Sequence, residues 1–255
     1  MNRFEYLDPE KAALLNDHKK SLDWMMHSWV ATPLVVSRAR YTEDILLKVV
    51  HHGLDQYVIL GAGIDTFPFR GSNILKKLKI FEIDHPATQA FKCNRLAELG
   101  WKLPPQLNFI PLDFTKDSLE IVLKNSSYVT QDLSFFSWLG VTYYLSRDVV
   151  FDTMQNITNI APPGSSIIFD YFDTDAYVPE KASERVLKQI EFLSSQNEPL
   201  KTGFEPSKLG VELENIGLHL CENLSPSDIQ KRYFQGRTDG LHAWEHAHIA
   251  WAVVN

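Results

Sequence analysis

Apolar and polar residues follow two textures along this chain. Up to Gly53 the apolar positions recur at three- and four-residue steps, the spacing of one helix face. Over 9–27 they are Leu14, Leu15, Leu22, Met25 and Met26; over 32–52 they are Val35, Val36, Ile45, Leu46, Val49 and Val50. Thr32 is placed to cap the second helix, Pro33 to open it and Gly53 to stop it. Beyond Gly53, short apolar runs that read as buried strands alternate with helical stretches. Strands are expected over 56–63, 79–84, 107–113, 133–139 and 165–172. Helices are expected over 87–99, near 115–124 and over 146–157, the last capped by Ser146. This alternation predicts an α/β fold built on a doubly wound, mostly parallel sheet.

The last third departs from that rhythm. Residues 173–205 are polar and loop-rich around one helix, 180–196, too long for a plain crossover. A helix over 206–217 and strands over 218–224 and 246–254 follow. No repeat or linker divides the chain, so one domain is expected over 1–255. Its parts are a helical cover (1–53), a core (54–172), an insertion (173–205) and the remainder of the sheet (206–255).

Composition narrows the function. The 255 residues are 44% hydrophobic and carry a formal charge of −7, with no basic stripe for a phosphate backbone. Fifteen Phe, nine Tyr and six Trp are too many for a disordered chain. Cys93 and Cys221 are too few for a disulfide framework or a thiolate zinc site. No apolar run is long enough to span a bilayer, and the opening MNRFEYLDPEK has no secretory apolar region. A cytoplasmic protein that binds neither nucleic acid nor membrane is the expectation.

Candidate chemistry gathers at the strand ends. Val58, Ile59 and Leu60 run into Gly61-Ala62-Gly63, a turn that lets backbone approach a ligand closely. The dinucleotide fingerprint would place a third glycine at position 66, which is Thr66. The next strand ends in Glu82-Ile83-Asp84, where a carboxylate can hold ribose hydroxyls. The plainer account is a tight turn followed by Asp84 capping a helix at Pro86. Asp113, with Phe114 beside it, is placed either to meet an adenine amino group or to cap a helix at Thr115.

The ordered runs VILGAGIDTFPFR, FEIDHPATQAFK, FIPLDF and FFSWLGVTYYL, with SRARYTED upstream, resemble the leucine carboxyl methyltransferase-type branch of the S-adenosylmethionine-dependent methyltransferases. The likeness runs over roughly residues 30–255 and includes EPLKTGFEP and GLHL in the tail. It implies a class I, Rossmann-like sheet of seven strands with the last antiparallel, N-terminal helices over the cofactor and S-adenosyl-L-methionine as that cofactor. Carried over by position, Arg38 would pair with the methionine carboxylate. Gly61, Ala62 and Gly63 would line the methionine and ribose, Asp84 would take the ribose hydroxyls, and Asp113 and Phe114 would bound the adenine. One departure stands out: Leu139 precedes Gly140-Val141 where the family carries an acid placed for the cofactor ammonium, a contact for which a backbone carbonyl at this strand end could substitute. A surface ion pair of Arg38 with Glu43 or Asp44 is the plainer alternative, and Arg40 reads as a surface residue.

The activity this implies is methyl transfer to oxygen, on a carboxylate or hydroxyl of a small metabolite or a peptide C-terminus. A carboxylate needs no base, whereas a hydroxyl gains from one. Tyr143, Tyr144 and His246 are the candidates, alongside apolar lining for the tyrosines and a plain polar lead-in to the last strand for the cluster His242, His246 and His248. No metal is assigned. His85 shapes the turn after Asp84, and the 173–205 insertion and the helix over 9–27, with Trp24 and Trp29, would wall an acceptor pocket. The alternatives are a non-catalytic methyltransferase-like binding protein and an NAD-dependent oxidoreductase.

Overall fold

The computed structural model describes residues 17, 19–20, 31–70 and 78–255. Apart from the first three of these, the helix expected over 9–27, with Trp24 and Trp29, lies outside the described residues. Seven strands form one sheet: β1 (Gln56–Leu60), β2 (Lys79–Asp84), β3 (Leu107–Pro111), β4 (Ser134–Trp138), β5 (Ser166–Phe172), β6 (Leu218–Leu224) and β7 (Ala247–Val254). Their order is β3-β2-β1-β4-β5-β7-β6, parallel except for β7, which runs antiparallel to both β5 and β6. The expected seven-stranded sheet with an antiparallel last strand is what forms. Because β1 is flanked by β2 and β4, the winding reverses there and opens a crevice at the strands' carboxyl ends.

From Thr32 onward, the helices among the described residues are α1 (Thr32–Val49), α2 (Pro86–Glu98), α3 (Leu119–Lys124), α4 (Arg147–Ile160), α5 (Glu184–Ser195), α6 (Pro206–Glu214) and the short α7 (Pro226–Ile229). Tyr41, Ile45 and Leu46 of α1 bury against Tyr57, Ile59, Phe135, Ile168 and Ile249 on one sheet face. Met154, Ile157 and Leu213 cover Val58, Phe136, Phe169 and Ala250 on the other. Strands covered on both faces read as unbroken apolar runs, which is why their positions were legible.

Element ends differ from expectation for local reasons. Thr32 is the first helical residue, with Ala31 in the cap position and no side-chain cap bond. Ser146 holds its expected cap position, but its side chain makes no cap bond. β1 stops at Leu60 because Gly61 turns left-handed (φ 65°), its amide donating to the Ile83 carbonyl at 2.7 Å. The helix expected near 115 starts only at Leu119, where the Ser118 hydroxyl accepts from the Ile121 amide. A turn unforeseen from the pattern is α7, fixed by a Ser225–Asp228 capping box and continuing as one π turn, Gln230–Phe234.

Two interior contacts set the site's frame. Tyr41 donates to Glu222 Oε2 on β6 at 2.6 Å while Arg232 of the π turn packs over its ring, tying α1 to the far edge of the sheet. On β2, Glu82 is 1% exposed and accepts from Lys92 of α2, 5% exposed, at 2.5 Å. Glu82 Oε1 finds no hydrogen-bond partner among the described residues.

Candidate active site at the carboxyl edge of the sheet

Residues from β1, β2, β4 and β5 and from one helix, α1, meet at this edge of the sheet. At the tip of β1 a side chain on Gly61 is excluded twice over: its φ of 65° disfavours one, and a Cβ would lie 2.3 Å from Val141 Cγ2. Over Gly63 (φ 51°) the space where a Cβ would stand is open. Asp84 at the tip of β2 braces this turn, its Oδ2 accepting from the Gly63 amide at 2.5 Å and its Oδ1 from the His85 amide at 2.6 Å. It does not cap α2. His85 does, its Nδ1 accepting from the Ala87 amide.

Arg38 leaves α1 on the inward side, three residues before the anchored Tyr41. Its Nη1 donates to Asp170 Oδ2 at 2.8 Å and to the Tyr143 hydroxyl at 2.9 Å. The surface alternative does not form: Arg70 takes Glu43 at 2.7 Å and the exposed Arg40 takes Asp44 at 2.9 Å. Asp170, on β5, is 1% exposed, against 15% for the Arg38 side chain. Its Oδ1 accepts from the Gly140 amide at 2.6 Å and its backbone carbonyl from the Thr142 hydroxyl at 2.6 Å. The guanidinium lies so close over Gly140 that a Cβ there would fall 2.5 Å from Nη2. Burial opposes the arginine's charge, but Asp170 and Tyr143 outweigh it and hold the guanidinium above its ordinary range.

Asp113 spends its carboxylate within its own turn. Oδ1 accepts from the Thr115 amide at 3.0 Å and hydroxyl at 2.6 Å, and Oδ2 from Lys116 Nζ at 2.7 Å. These bonds, led by Lys116, hold it well below the usual carboxylate range. Phe114 packs on Trp138 with ring centroids 5.5 Å apart and lines a cavity of about 360 Å³ with Val149 and Thr153. Leu139, just past β4, packs into the apolar layer under α1.

Tyr143 and Tyr144 lie in a short turn after β4, their rings 4.9 Å apart, and burial pushes both phenols up. His246 precedes β7 in a left-handed conformation (φ 65°), unusual for a residue with a side chain. Its Nδ1 meets Asp173 Oδ1 at 2.8 Å, while His248 Nε2 meets Asp173 Oδ2 at 3.2 Å. Burial raises the Asp173 carboxyl, but bonds from His248 and His246 prevail and lower it. The third histidine, His242, lies 3.9 Å from Glu245 and does not join them.

The family model for leucine carboxyl methyltransferase matches residues 5–158. The chain is 39% identical over 241 residues to a Bacillus subtilis protein named "Putative S-adenosyl-L-methionine-dependent methyltransferase YktD", covering 94% of this chain and 78% of that one. The chain belongs to the leucine carboxyl methyltransferase family. As such it is an S-adenosyl-L-methionine-dependent, class I methyltransferase. Solved structures share its fold at low identity. A duf574 family protein of Streptomyces avermitilis superposes with TM-score 0.65 at 14% identity, over 93% of this chain and 90% of that one. The magnesium protoporphyrin IX methyltransferase of Synechocystis, solved with S-adenosylhomocysteine bound, gives 0.52 at 10%, over 94% and 100%.

Seen as a methyltransferase site, the arrangement contains two acids that sequence reasoning passed over. Asp170 sits inside SIIFDYF, and Asp173 directly follows it. The available signal was the charge itself: an ionised side chain inside an apolar strand needs a partner.

Proposed function

We propose that this protein transfers the methyl group of S-adenosyl-L-methionine to an oxygen, a carboxylate or hydroxyl of a small metabolite or of a peptide C-terminus. The observation that carries this reading is the inward Arg38, a partly buried cation paired with Asp170 and lying over Gly140, whose neighbour Val141 abuts Gly61. The residues present fit such a cofactor. Arg38 is suited to the methionine carboxylate through its forked donors. The turn at Gly61, Ala62 and Gly63 leaves open space above Gly63 for the methionine and ribose. Asp84 uses one acceptor site on each oxygen for backbone amides, leaving others for ribose hydroxyls. Asp113 is committed to Thr115 and Lys116, so adenine recognition falls mainly to the Phe114 ring. Leu139 offers only its backbone carbonyl to the ammonium.

The bound cofactor supplies an activated methyl on a sulfonium. What remains for the chain is to align the acceptor and exclude water. A carboxylate acceptor attacks without a base. For a hydroxyl acceptor, Tyr143 is poorly suited, since its oxygen already accepts from Arg38 and burial holds the phenol protonated. His246 is better suited: with Nδ1 on Asp173, Nε2 is left to take a proton.

The test is to incubate the protein with methyl-labelled cofactor and a metabolite extract, then separate the labelled products. Label released by mild alkali marks a carboxyl ester, and alkali-stable label on oxygen marks an ether. Label on nitrogen or carbon would overturn the oxygen assignment. Affinity for S-adenosylhomocysteine without transfer to any acceptor would favour a non-catalytic binder, the outcome that Leu139 makes worth testing.

A further inference from the structure

The amino-acid end of the cofactor is a zwitterion, with a carboxylate and an ammonium on one carbon. An arginine alone beside it attracts one group and repels the other, so the ammonium needs an acceptor. We propose that Asp170 is that acceptor: Arg38 and Asp170 form a two-charge receptor in which the cofactor's carboxylate and ammonium replace the protein's own ion pair. This rests on the reading of Arg38 given above.

Four observations lead there. First, Asp170 occupies the place where a neighbouring side chain is missing. Trp138 pairs with Phe169 in the β4–β5 register, so the next step sets Leu139 beside Asp170, and Leu139 has no polar side chain to offer. Second, the other carboxylates near the crevice have other roles: Asp84 belongs to the ribose side of the reading above, Asp113 is held by Thr115 and Lys116, and Asp173 by His246 and His248. Third, a carboxylate has about four acceptor positions, and Asp170 uses one for the Gly140 amide and one for Arg38. The Gly140 bond fixes the carboxylate, and the Arg38 bond is the exchangeable one. Fourth, Asp170 is 1% exposed and Arg38 is its charged neighbour, so access to Oδ2 opens when the guanidinium turns away.

Exchange rather than addition is what the energetics favour. A buried charge left without a partner is strongly destabilising, whereas a swap of partners keeps all four charges compensated throughout. As Arg38 turns to the cofactor carboxylate, the ammonium takes its place on Asp170. The Tyr143 hydroxyl, already 2.9 Å from Nη1, gives the guanidinium a pivot.

The experiment is calorimetry with S-adenosylhomocysteine, its analogue lacking the amino group and its analogue lacking the carboxyl group. The wild-type protein should prefer S-adenosylhomocysteine to the deaminated analogue by roughly tenfold or more. Asp170→Asn should collapse that preference towards unity, and Leu139→Glu added to it should restore the preference from the adjacent strand tip. An equal loss for both ligands in Asp170→Asn would reduce Asp170 to holding Arg38 in place, and the proposal would fail. No wild-type preference would also overturn it, without need of any variant that folds. The decarboxylated analogue tests the reading beneath. If Arg38→Ala leaves the preference for S-adenosylhomocysteine over that analogue unchanged, it is Arg38, not Asp170, that was misassigned.

Discussion

Arg38 and Lys92 each carry a positive charge inward to an acid on a central strand, and the two pairs are built for different ends. Lys92 is a point charge on the helix that follows β2, ten residues from Glu82. Arg38 is a planar fork reaching Asp170 across 132 residues of chain. The Lys92 pair is sealed between helix and sheet and leaves Glu82 Oε1 without a partner, so burial lifts the Glu82 carboxyl to about 7 despite the nearby ammonium. In the Arg38 pair both carboxylate oxygens are served, one by backbone and one by a side chain that also contacts Tyr143. The first pair fastens α2 to the sheet. The second lies at the crevice with one replaceable bond. A buried ion pair is therefore poor evidence of stability or of function by itself; its place on the strand and the satisfaction of each oxygen decide between them.

The comparison breaks most visibly at Lys92. Lys92→Met should leave Glu82 buried without its counter-charge and, at a pH above about 7 where that carboxyl would be ionised, lower stability by about 3–5 kcal/mol, read from the urea midpoint. The affinity of the folded fraction for S-adenosylhomocysteine should be unchanged; a parallel loss of affinity would mean the two pairs are not separate devices.

Acidity sharpens it next. Glu82 has a folded-state pKa of about 7, above its ordinary 4.5, so between those values the folded protein binds more protons than the unfolded chain. That contribution to stability, on the order of 3 kcal/mol, is fully present below about pH 4.5 and lost as pH rises through about 7. Urea midpoints measured across this window should carry the slope in wild type and lose it in Glu82→Gln. A variant with the wild-type slope would transfer the effect to another group.

Arg38→Ala should weaken S-adenosylhomocysteine binding by about 1.5–3 kcal/mol, and Asp84→Ala should weaken it comparably through the ribose side. Arg40→Ala is the smallest change. It removes an exposed helix pair with Asp44, and about 0.5 kcal/mol or less of stability should go with it, with cofactor affinity untouched.

Much of the architecture was legible because the signals were strong and local. The β2 and β6 boundaries match the expected strands to the residue, and α1 follows its three- and four-residue spacing to within a turn. Ends decided by side-chain bonding were harder to foresee: the Asp113–Thr115 turn delays α3, and the Ser225–Asp228 box makes α7. At the candidate site, spacing alone singles out the Gly61 turn and Asp84. Arg38 stood out only through resemblance, since on its own a helix arginine near Glu43 and Asp44 reads as a surface pair. Asp170 was missed because its meaning lies in a contact with distant sequence, and pattern reasoning sees only neighbours. The Asp173 bonds to His246 and His248 were hidden for the same reason, since no periodicity links positions more than seventy residues apart.

The position of β7 between β5 and β6 has a kinetic consequence. During synthesis, the strand bearing Asp170 emerges well before the partner that completes its outer edge, with about eighty residues separating Asp170 from Ile249. Closing so long a loop is slow compared with forming hairpins or helices, so refolding of this half should lag behind the β1–β4 half. Pulse-labelled amide exchange would register that delay as late protection of β5 and β7.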